Sequence, residues 1–390
     1  MTKADKEGQR KAPILRFKGF TDAWEQRKLG NLFNERKEKS TKGELLSVTL
    51  SNGVTKFSDL NKKDNSNIKS GNYKVVKKND IPYNSMRMWQ GASGVSSYDG
   101  IVSPAYTVLV PNRNSNSNFY AVLFKKKSIL NLFTRFSQGL TSDTWNLKYP
   151  ILKDIIVPFT NLEEQKRIFK IFNVINNLLA LYDRKLKLIK LIYKELENKV
   201  YNNDLIKQTS FTKVKLGEIL KEKNIKSTYE DQYPVLSSTN SGIELRNGRT
   251  NSSSNIGYKI LSKNELVLSP QNLWLGNINI NFDFKNGLVS PSYKVFNLTN
   301  DINIIYLNSL LHHPKMMYLY KVVSVQGASV VRRNLDIEAF ENLTLKLPSI
   351  EVQNKIGNLL DKNKKLIDNL KNKKEQISKI KTALLNTMFI

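Results

Sequence analysis

The sequence repeats itself at a nearly constant interval. Lys28-Leu29-Gly30 returns as Lys215-Leu216-Gly217, and Tyr73-Lys74-Val75-Val76-Lys77-Lys78-Asn79-Asp80-Ile81 as Tyr258-Lys259-Ile260-Leu261-Ser262-Lys263-Asn264-Glu265-Leu266. Trp89-Gln90-Gly91 matches Trp274-Leu275-Gly276, and Gly100-Ile101-Val102-Ser103-Pro104-Ala105-Tyr106 matches Gly287-Leu288-Val289-Ser290-Pro291-Ser292-Tyr293. Further on, Ser137-Gln138-Gly139 answers Val325-Gln326-Gly327, and Leu162-Glu163-Glu164-Gln165 answers Ile350-Glu351-Val352-Gln353. The offset stays between about 185 and 190 residues throughout, which excludes chance and marks a tandem duplication. The 390 residues are two copies of a unit large enough to bury its own core.

Both copies have the same internal order. Short apolar runs separated by Asn, Gly and Ser clusters come first, among them Ile101-Val102, Tyr106-Thr107-Val108-Leu109-Val110 and Tyr120-Ala121-Val122-Leu123-Phe124. These read as strands and turns. A helix follows, beginning just after Pro158 or Pro348 with Glu and Gln in its first turn, where negative charge suits the helix dipole. In the first copy the apolar positions Ile168, Phe172, Ile175, Leu179, Tyr182, Leu186, Ile189, Tyr193, Leu196 and Val200 alternate steps of four and three, the period of a coiled-coil seam. In the second copy Ile356, Leu360, Ile367, Leu370, Ile377, Ile380, Leu384 and Met388 form the seam, interrupted by Asn363 and by Lys373 or Lys374.

The expected fold is α+β: two tandem-repeated globular domains, 1–160 and 203–348, separated by long helices over 161–202 and 349–390. A second helix that pairs with the first must run back along it, which makes the pair an antiparallel coiled coil with a pseudo-twofold axis. About 35 paired residues at ~1.5 Å each would hold the domains ~50 Å apart. That is about one and a half turns of duplex at ~34–36 Å per turn.

Charge points to the partner. The chain holds 62 Lys and Arg against 34 Asp and Glu, a net +28, so a polyanion is the natural ligand. A membrane surface competes, but it calls for a polybasic run beside an amphipathic anchor, whereas here the basic residues are spread along the whole chain. Nucleic acid is favoured. Half of the excess, +14, falls in 1–162, against +4 in 163–200, +5 in 201–350 and +5 in 351–390. The opening residues contain no apolar segment of the secretory kind, and the most apolar helical stretch is broken by Asn173, Asn176 and Asn177. The expectation is a cytoplasmic protein with no membrane span.

Base readers are expected in the polar turns. In the first domain Arg87 and Gln90 can pair bidentately with guanine and adenine, with Ser93, Arg113, Asn114 and Gln138 as further candidates. In the second domain the candidates are Arg246, Asn247, Arg249, Gln271, Asn272, Arg332 and Arg333. For each of them the alternative is a solvated loop or a phosphate contact. Trp89 and Trp274 read as core anchors rather than stacking platforms.

Catalysis by the chain itself is not expected. There is no cysteine, which removes thiolate metal sites and a cysteine nucleophile. The two histidines, His312 and His313, are adjacent and diverge in direction, so they read as a surface turn rather than as metal ligands. No phosphate-cradling or dinucleotide glycine loop occurs. Asp80-Ile81-Pro82-Tyr83 is similar to an amino-methyltransferase signature but lacks its first proline, and its repeat partner is Glu265-Leu266-Val267-Leu268. A strand beside a turn is the better reading.

The chain resembles the specificity (S) subunits of type I restriction-modification systems. The resemblance lies in Leu15-Arg16-Phe17-Lys18-Gly19-Phe20-Thr21-Asp22-Ala23-Trp24-Glu25 with Lys28-Leu29-Gly30, in Gly100 to Tyr106, in the helix starts with Glu164-Gln165 and Glu351-x-Gln353, and in the terminal Ala383-Leu384-Leu385-Asn386-Thr387-Met388-Phe389. The second copy departs from it, opening with Phe211-Thr212-Lys213-Val214-Lys215 and no Trp. The resemblance implies two target-recognition domains, each reading half of a split double-stranded DNA sequence, with the helical pair fixing the spacer. It implies no cofactor and no metal in this chain. S-adenosylmethionine would be bound by two methyltransferase (M) subunits, and ATP and Mg2+ by restriction/motor (R) subunits. The competing reading is a coiled-coil scaffold or adaptor whose basic surface is incidental.

Overall fold

The computed structural model describes residues 11–50, 52–60, 63, 66, 68, 71–201, 211–240, 242–246, 254–299, 301–326 and 333–390, without the side chains of 200 and 201. The chain divides into two compact units, 1–182 with 373–390, and 183–372. Each long helix therefore contributes one half to each unit.

The duplication is carried into the topology. In the first unit Glu25–Lys28 pairs antiparallel with Ile156–Phe159, and in the second Thr212–Lys215 pairs in the same way with Thr344–Leu347. A sheet of Phe33–Glu35, Tyr106–Pro111 and Ile81–Asn84 has its counterpart in Leu220–Lys223, Lys294–Leu298 and Leu266–Leu268, where Ile278–Ile280 adds a fourth strand. The hairpin Leu46–Thr49 with Gly53–Lys56 matches Leu236–Thr239 with Gly242–Leu245. Lys74–Val76 with Gly100–Val102 matches Lys259–Ser262 with Asn286–Val289. Each domain adds two helices, Ser117–Leu123 and Lys127–Phe136 in the first, Ile304–Leu311 and Pro314–Val322 in the second.

The repeated residues have identifiable work. Asn79 and Asn264 sit at φ +73° and +67°, the left-handed region that asparagine tolerates. The acidic residue after each is buried and paired: Asp80 takes both Arg36 nitrogens at 2.7 and 3.1 Å, and Glu265 takes Lys223 at 2.5 Å. The Asp80 segment is thus a turn leading into the strand Ile81–Asn84, held by a structural ion pair.

Gly100 and Gly287 are repeated because another strand passes too close for a side chain. A Cβ at Gly100 would lie 2.4 Å from the Glu44 carbonyl oxygen, and one at Gly287 2.1 Å from Leu236 Cδ1. Gly100→Ala is expected to cost about 2 kcal/mol or more, because the obstacle is backbone. Denaturant unfolding checks this; a loss within experimental error would mean that the two strands can separate freely.

The apolar run Tyr120–Phe124 forms helix rather than strand, with Asn116 as the N-cap accepting from the Phe119 N–H at 3.1 Å. A five-residue apolar run carries no period of its own. Phe119, Tyr120, Leu123 and Phe124 are all fully buried, in one aromatic cluster with Phe33 and Phe133.

The long helices run Leu162–Tyr201 and Ile350–Thr387. Within the first unit the start of one meets the end of the other, with Phe172 and Phe389 ring centroids 5.7 Å apart. Within the second unit Tyr193 and Leu196 join the cluster that contains Ile356 and Leu360. The two helices therefore pack antiparallel. The expected seam is the inward side: Ile168, Phe172 and Leu186 are buried, and Ile175, Leu179, Tyr182, Ile189 and Leu196 half-buried. On the second helix Ile356, Leu360, Ile367 and Leu370 are buried, and Ile377 and Leu384 half-buried. Ile380 is the exception, 54% exposed. Lys381 holds its place in the four-three alternation and is half-buried, as is Lys374. Among the described residues no helix is long and apolar enough to cross a membrane.

Candidate nucleic-acid interface

Each domain closes the same polar turn at the end of an equivalent strand, Ile81–Asn84 in the first and Leu266–Leu268 in the second. In the first domain Asn84 N–H donates to the Ala92 carbonyl at 2.9 Å, and Ala92 N–H to Arg87 at 3.1 Å. Met88–Gln90 winds into a single 3-10 turn that ends on Gly91 at φ +86°. In the second domain Ser269 N–H donates to Asn277 at 3.0 Å, and Leu273–Leu275 ends on Gly276 at φ +92°. The left-handed glycine is what the repeated Trp-x-Gly encodes.

Met88 and Leu273 are the fully buried residues of these turns. Trp89 and Trp274 are only half-buried, so the expectation that they anchor the core is corrected. Trp89 meets Trp145 edge-on at 5.2 Å, while Arg333 lies over the Trp274 ring at 5.2 Å. Trp145 and Arg333 occupy the same repeat position. Sequence reasoning missed Trp145, though extending the repeat offset past Gly139 would have pointed to it.

The first-domain candidates fall into two groups. Arg87 is half-buried and Gln90 exposed on the turn. Gln138 lies on a neighbouring segment that is tied to the turn by Leu147 N–H to the Ser85 carbonyl at 2.9 Å and by Arg87 Nη1 4.0 Å from Asp143. Gln138 itself is bridged to Asn146 through the backbone and leaves its side chain exposed. Arg113 and Asn114, also exposed, do not join this group. They follow the far end of Tyr106–Pro111, whereas Asn84, where the turn begins, pairs with Tyr106 at the near end. Ser93 is 1% exposed, so it lies beneath the surface and cannot face a base directly. The approach of Gly53 to Gly94, from the hairpin above, covers it.

In the second domain Gln271 is exposed and Asn272 half-buried, its amide 3.4 Å from Ser269 Oγ. Arg333 reaches the Ser324 carbonyl at 3.3 Å while covering Trp274, which brings it to the Gln271 turn. Arg246 sits on the hairpin, its Nε 3.2 Å from Ser237 Oγ. Asn247, Arg249 and Arg332 lie outside the described residues.

The two histidines form a helix junction, not a surface turn. His313 is 8% exposed and caps the next helix by accepting from the Lys315 N–H at 3.2 Å. Burial lowers the pKa of both rings. Among the described residues no three His, Cys, Asp or Glu side chains gather as a metal site.

Each domain hands over to its long helix through a buried glutamine. Gln165 accepts from Asn116 N–H at 2.8 Å and donates to Asn114 and Thr160 carbonyls at 3.1 and 2.7 Å. Gln353 accepts from Asn303 N–H at 3.1 Å and donates to Pro348 at 2.9 Å. The neighbouring residue differs: Glu164, fully buried, receives Arg16 through two bonds at 2.7 and 2.9 Å and Trp24 Nε1 at 3.1 Å, whereas its counterpart is Val352.

The first long helix has a second apolar line on its outer side. Val174, Leu178 and Leu181 in the first unit are exposed by 59, 37 and 62%, and Leu188 and Ile192 in the second by 53 and 54%. Within each group they are spaced three or four residues apart, and Lys185 interrupts the line between Leu181 and Leu188.

The family model for the type I restriction modification DNA specificity domain matches residues 21–191. The chain is 24% identical over 309 residues to the putative type I restriction enzyme MjaX specificity subunit of Methanocaldococcus jannaschii, covering 72% of this chain and 69% of that one. It is 25% identical over 148 residues to the MjaVIII specificity subunit of the same organism, 37% of this chain and 33% of the other. The fold is similar to that of the type I S subunit from M. genitalium, with a TM-score of 0.62 at 16% identity over 97% of this chain and 99% of that one. Residues 21–191 match the type I restriction modification DNA specificity domain, and over most of its length the chain is similar to specificity (S) subunits of type I restriction-modification systems.

Proposed function

We propose that this chain reads a bipartite double-stranded DNA target, one half through each domain, with the helical pair setting the spacer and docking two M subunits. One observation carries the reading: the two turns have the same backbone hydrogen bonds and different side chains. Met86, Arg87 and Gln90 in one stand where Gln271, Asn272 and Leu275 stand in the other. A common scaffold with interchanged surface residues is what reading two different half-sites by one docking geometry requires. Arg113, Asn114 and Gln138 in one domain, and Arg246, Asn247, Arg249, Arg332 and Arg333 in the other, supply further base or phosphate contacts.

The outer line from Val174 to Ile192 supports helix docking by M subunits, and near-twofold repetition of the chain supports two identical ones. Adenine would then be methylated in each half-site with S-adenosylmethionine held by M. R subunits bring ATP- and Mg2+-dependent cleavage, and the site of action is the cytoplasm.

Reconstitution tests the reading. The chain with its M partner and S-adenosylmethionine is expected to methylate one split motif, and the chain alone none. In that assembly Arg87→Ala is expected to cost about 1–3 kcal/mol of discrimination, roughly ten- to hundredfold, at one base of one half-site. Motif-resolved methylation kinetics measure this. Equal loss across both halves would contradict separate reading.

A further inference from the structure

The first recognition turn is tied from behind by a side chain that does not belong to it. In the first domain the junction of Ser117–Leu123 with Lys127–Phe136 carries Lys125. Its Nζ donates to the Gly91 carbonyl and, at 3.2 Å, to the Ser93 carbonyl. In the second domain the junction of Ile304–Leu311 with Pro314–Val322 carries His312. Its Nδ1 lies 2.8 Å from the Asn308 carbonyl of its own helix.

The two positions are equivalent by their hydrogen bonds. Lys126 N–H donates to Leu123 at 2.9 Å as His313 N–H does to Leu310 at 3.1 Å. Ser93 N–H donates to Gly91 at 2.8 Å as Ile278 N–H does to Gly276 at 2.9 Å. The next helix repeats the arrangement too. A Cβ on Gly91 would lie 3.2 Å from Leu130, and one on Gly276 3.0 Å from Met317, the equivalent residue. Burial beside Lys381 brings the Lys125 amine down to about 8, so the site keeps this group although its surroundings oppose its charge.

We propose that Lys125 is a positioning residue, latching the backbone of the first recognition turn so that its exposed side chains meet bases in a fixed geometry. The inference rests on reading that turn as a half-site reader. It makes specificity at that half depend on a residue behind the turn that touches no DNA.

The test uses the full chain assembled with M subunits, and two variants: Lys125→Met and Lys125→His. Backbone hydrogen exchange and methylation motifs are both read. Lys125→Met removes the donors at similar length. It is expected to speed exchange of the amides from Arg87 to Ser93 about tenfold, the effect of losing one charge-assisted bond. It should relax the motif in one half-site and leave the other as in the wild type. Lys125→His, which borrows the second domain's residue, should restore both readouts.

Unchanged exchange overturns the latch, and so does faster exchange with both half-sites unchanged. Equal relaxation of both halves overturns it as well, since that is the mark of general destabilisation. A wild-type assembly that methylates no split motif would defeat the half-site reading instead, while the exchange measurement would still decide whether the latch exists.

Discussion

Inserting seven residues into each long helix is expected to move the two halves of the methylated motif apart by about 3 bp and leave their bases unchanged. Seven residues are two turns of the four-three alternation, so the seam from Ile168 to Leu196 and from Ile356 to Leu384 keeps its phase. At ~1.5 Å per residue the added length is ~10.5 Å, or about three base pairs at ~3.4 Å each. Suitable points lie near Asp183 in the first helix and Asn372 in the second, where the chain passes between its two units. Four residues in each helix shift the seam out of phase and are expected to impair assembly instead. Methylome sequencing reads the spacer directly, and unchanged spacing in an active seven-residue variant would refute the ruler.

Arg16→Ala is expected to destabilise the first unit by about 3 kcal/mol, the usual penalty for leaving a buried carboxylate without its cation. Glu164 is fully buried, and Arg16 supplies two of the bonds that compensate it. The effect should spread, since Leu15 N–H donates to Thr387 at 2.9 Å and Trp24 lies edge-on to Phe389 at 6.2 Å. That segment fastens the end of the second long helix. The other copy shows the remedy: it has no Trp at its opening, and Val352 packs against its core where Glu164 would be. The double substitution Arg16→Met with Glu164→Val should therefore recover part of the loss, the remainder of about 1–2 kcal/mol coming from the buried Trp24 Nε1 donor left without its acceptor. Denaturant unfolding of the three proteins decides it. A double variant as unstable as the single one would mean that the ion pair is not the source of the stability.

What was legible in the sequence was whatever carried a period. The repeat offset predicted two domains of one topology, and strand pairs such as Glu25–Lys28 with Ile156–Phe159 recur as Thr212–Lys215 with Thr344–Leu347. The four-three alternation predicted which residues of the long helices face inward. It slipped at Ile380 because hydropathy prefers isoleucine, whereas phase places Lys381 inward, its aliphatic stem buried. Features set by tertiary contact were not legible. Tyr120–Phe124 has the composition of a strand, but the Asn116 cap makes it helical. Ser93 looks like a polar turn residue and is buried because a distant hairpin closes over it. Trp89 and Trp274 share one position, yet what covers them, Trp145 or Arg333, is supplied from more than fifty residues away. The bases read by Arg87, Gln90 or Gln271 depend on how the turns meet a groove, which no local pattern encodes.

The most direct measurement is the methylome of a host carrying an active M partner, sequenced with and without this chain. The account predicts that one split motif, with two short defined halves and an unread spacer, is methylated on adenine only when the chain is present. An identical methylome in the two strains would contradict it.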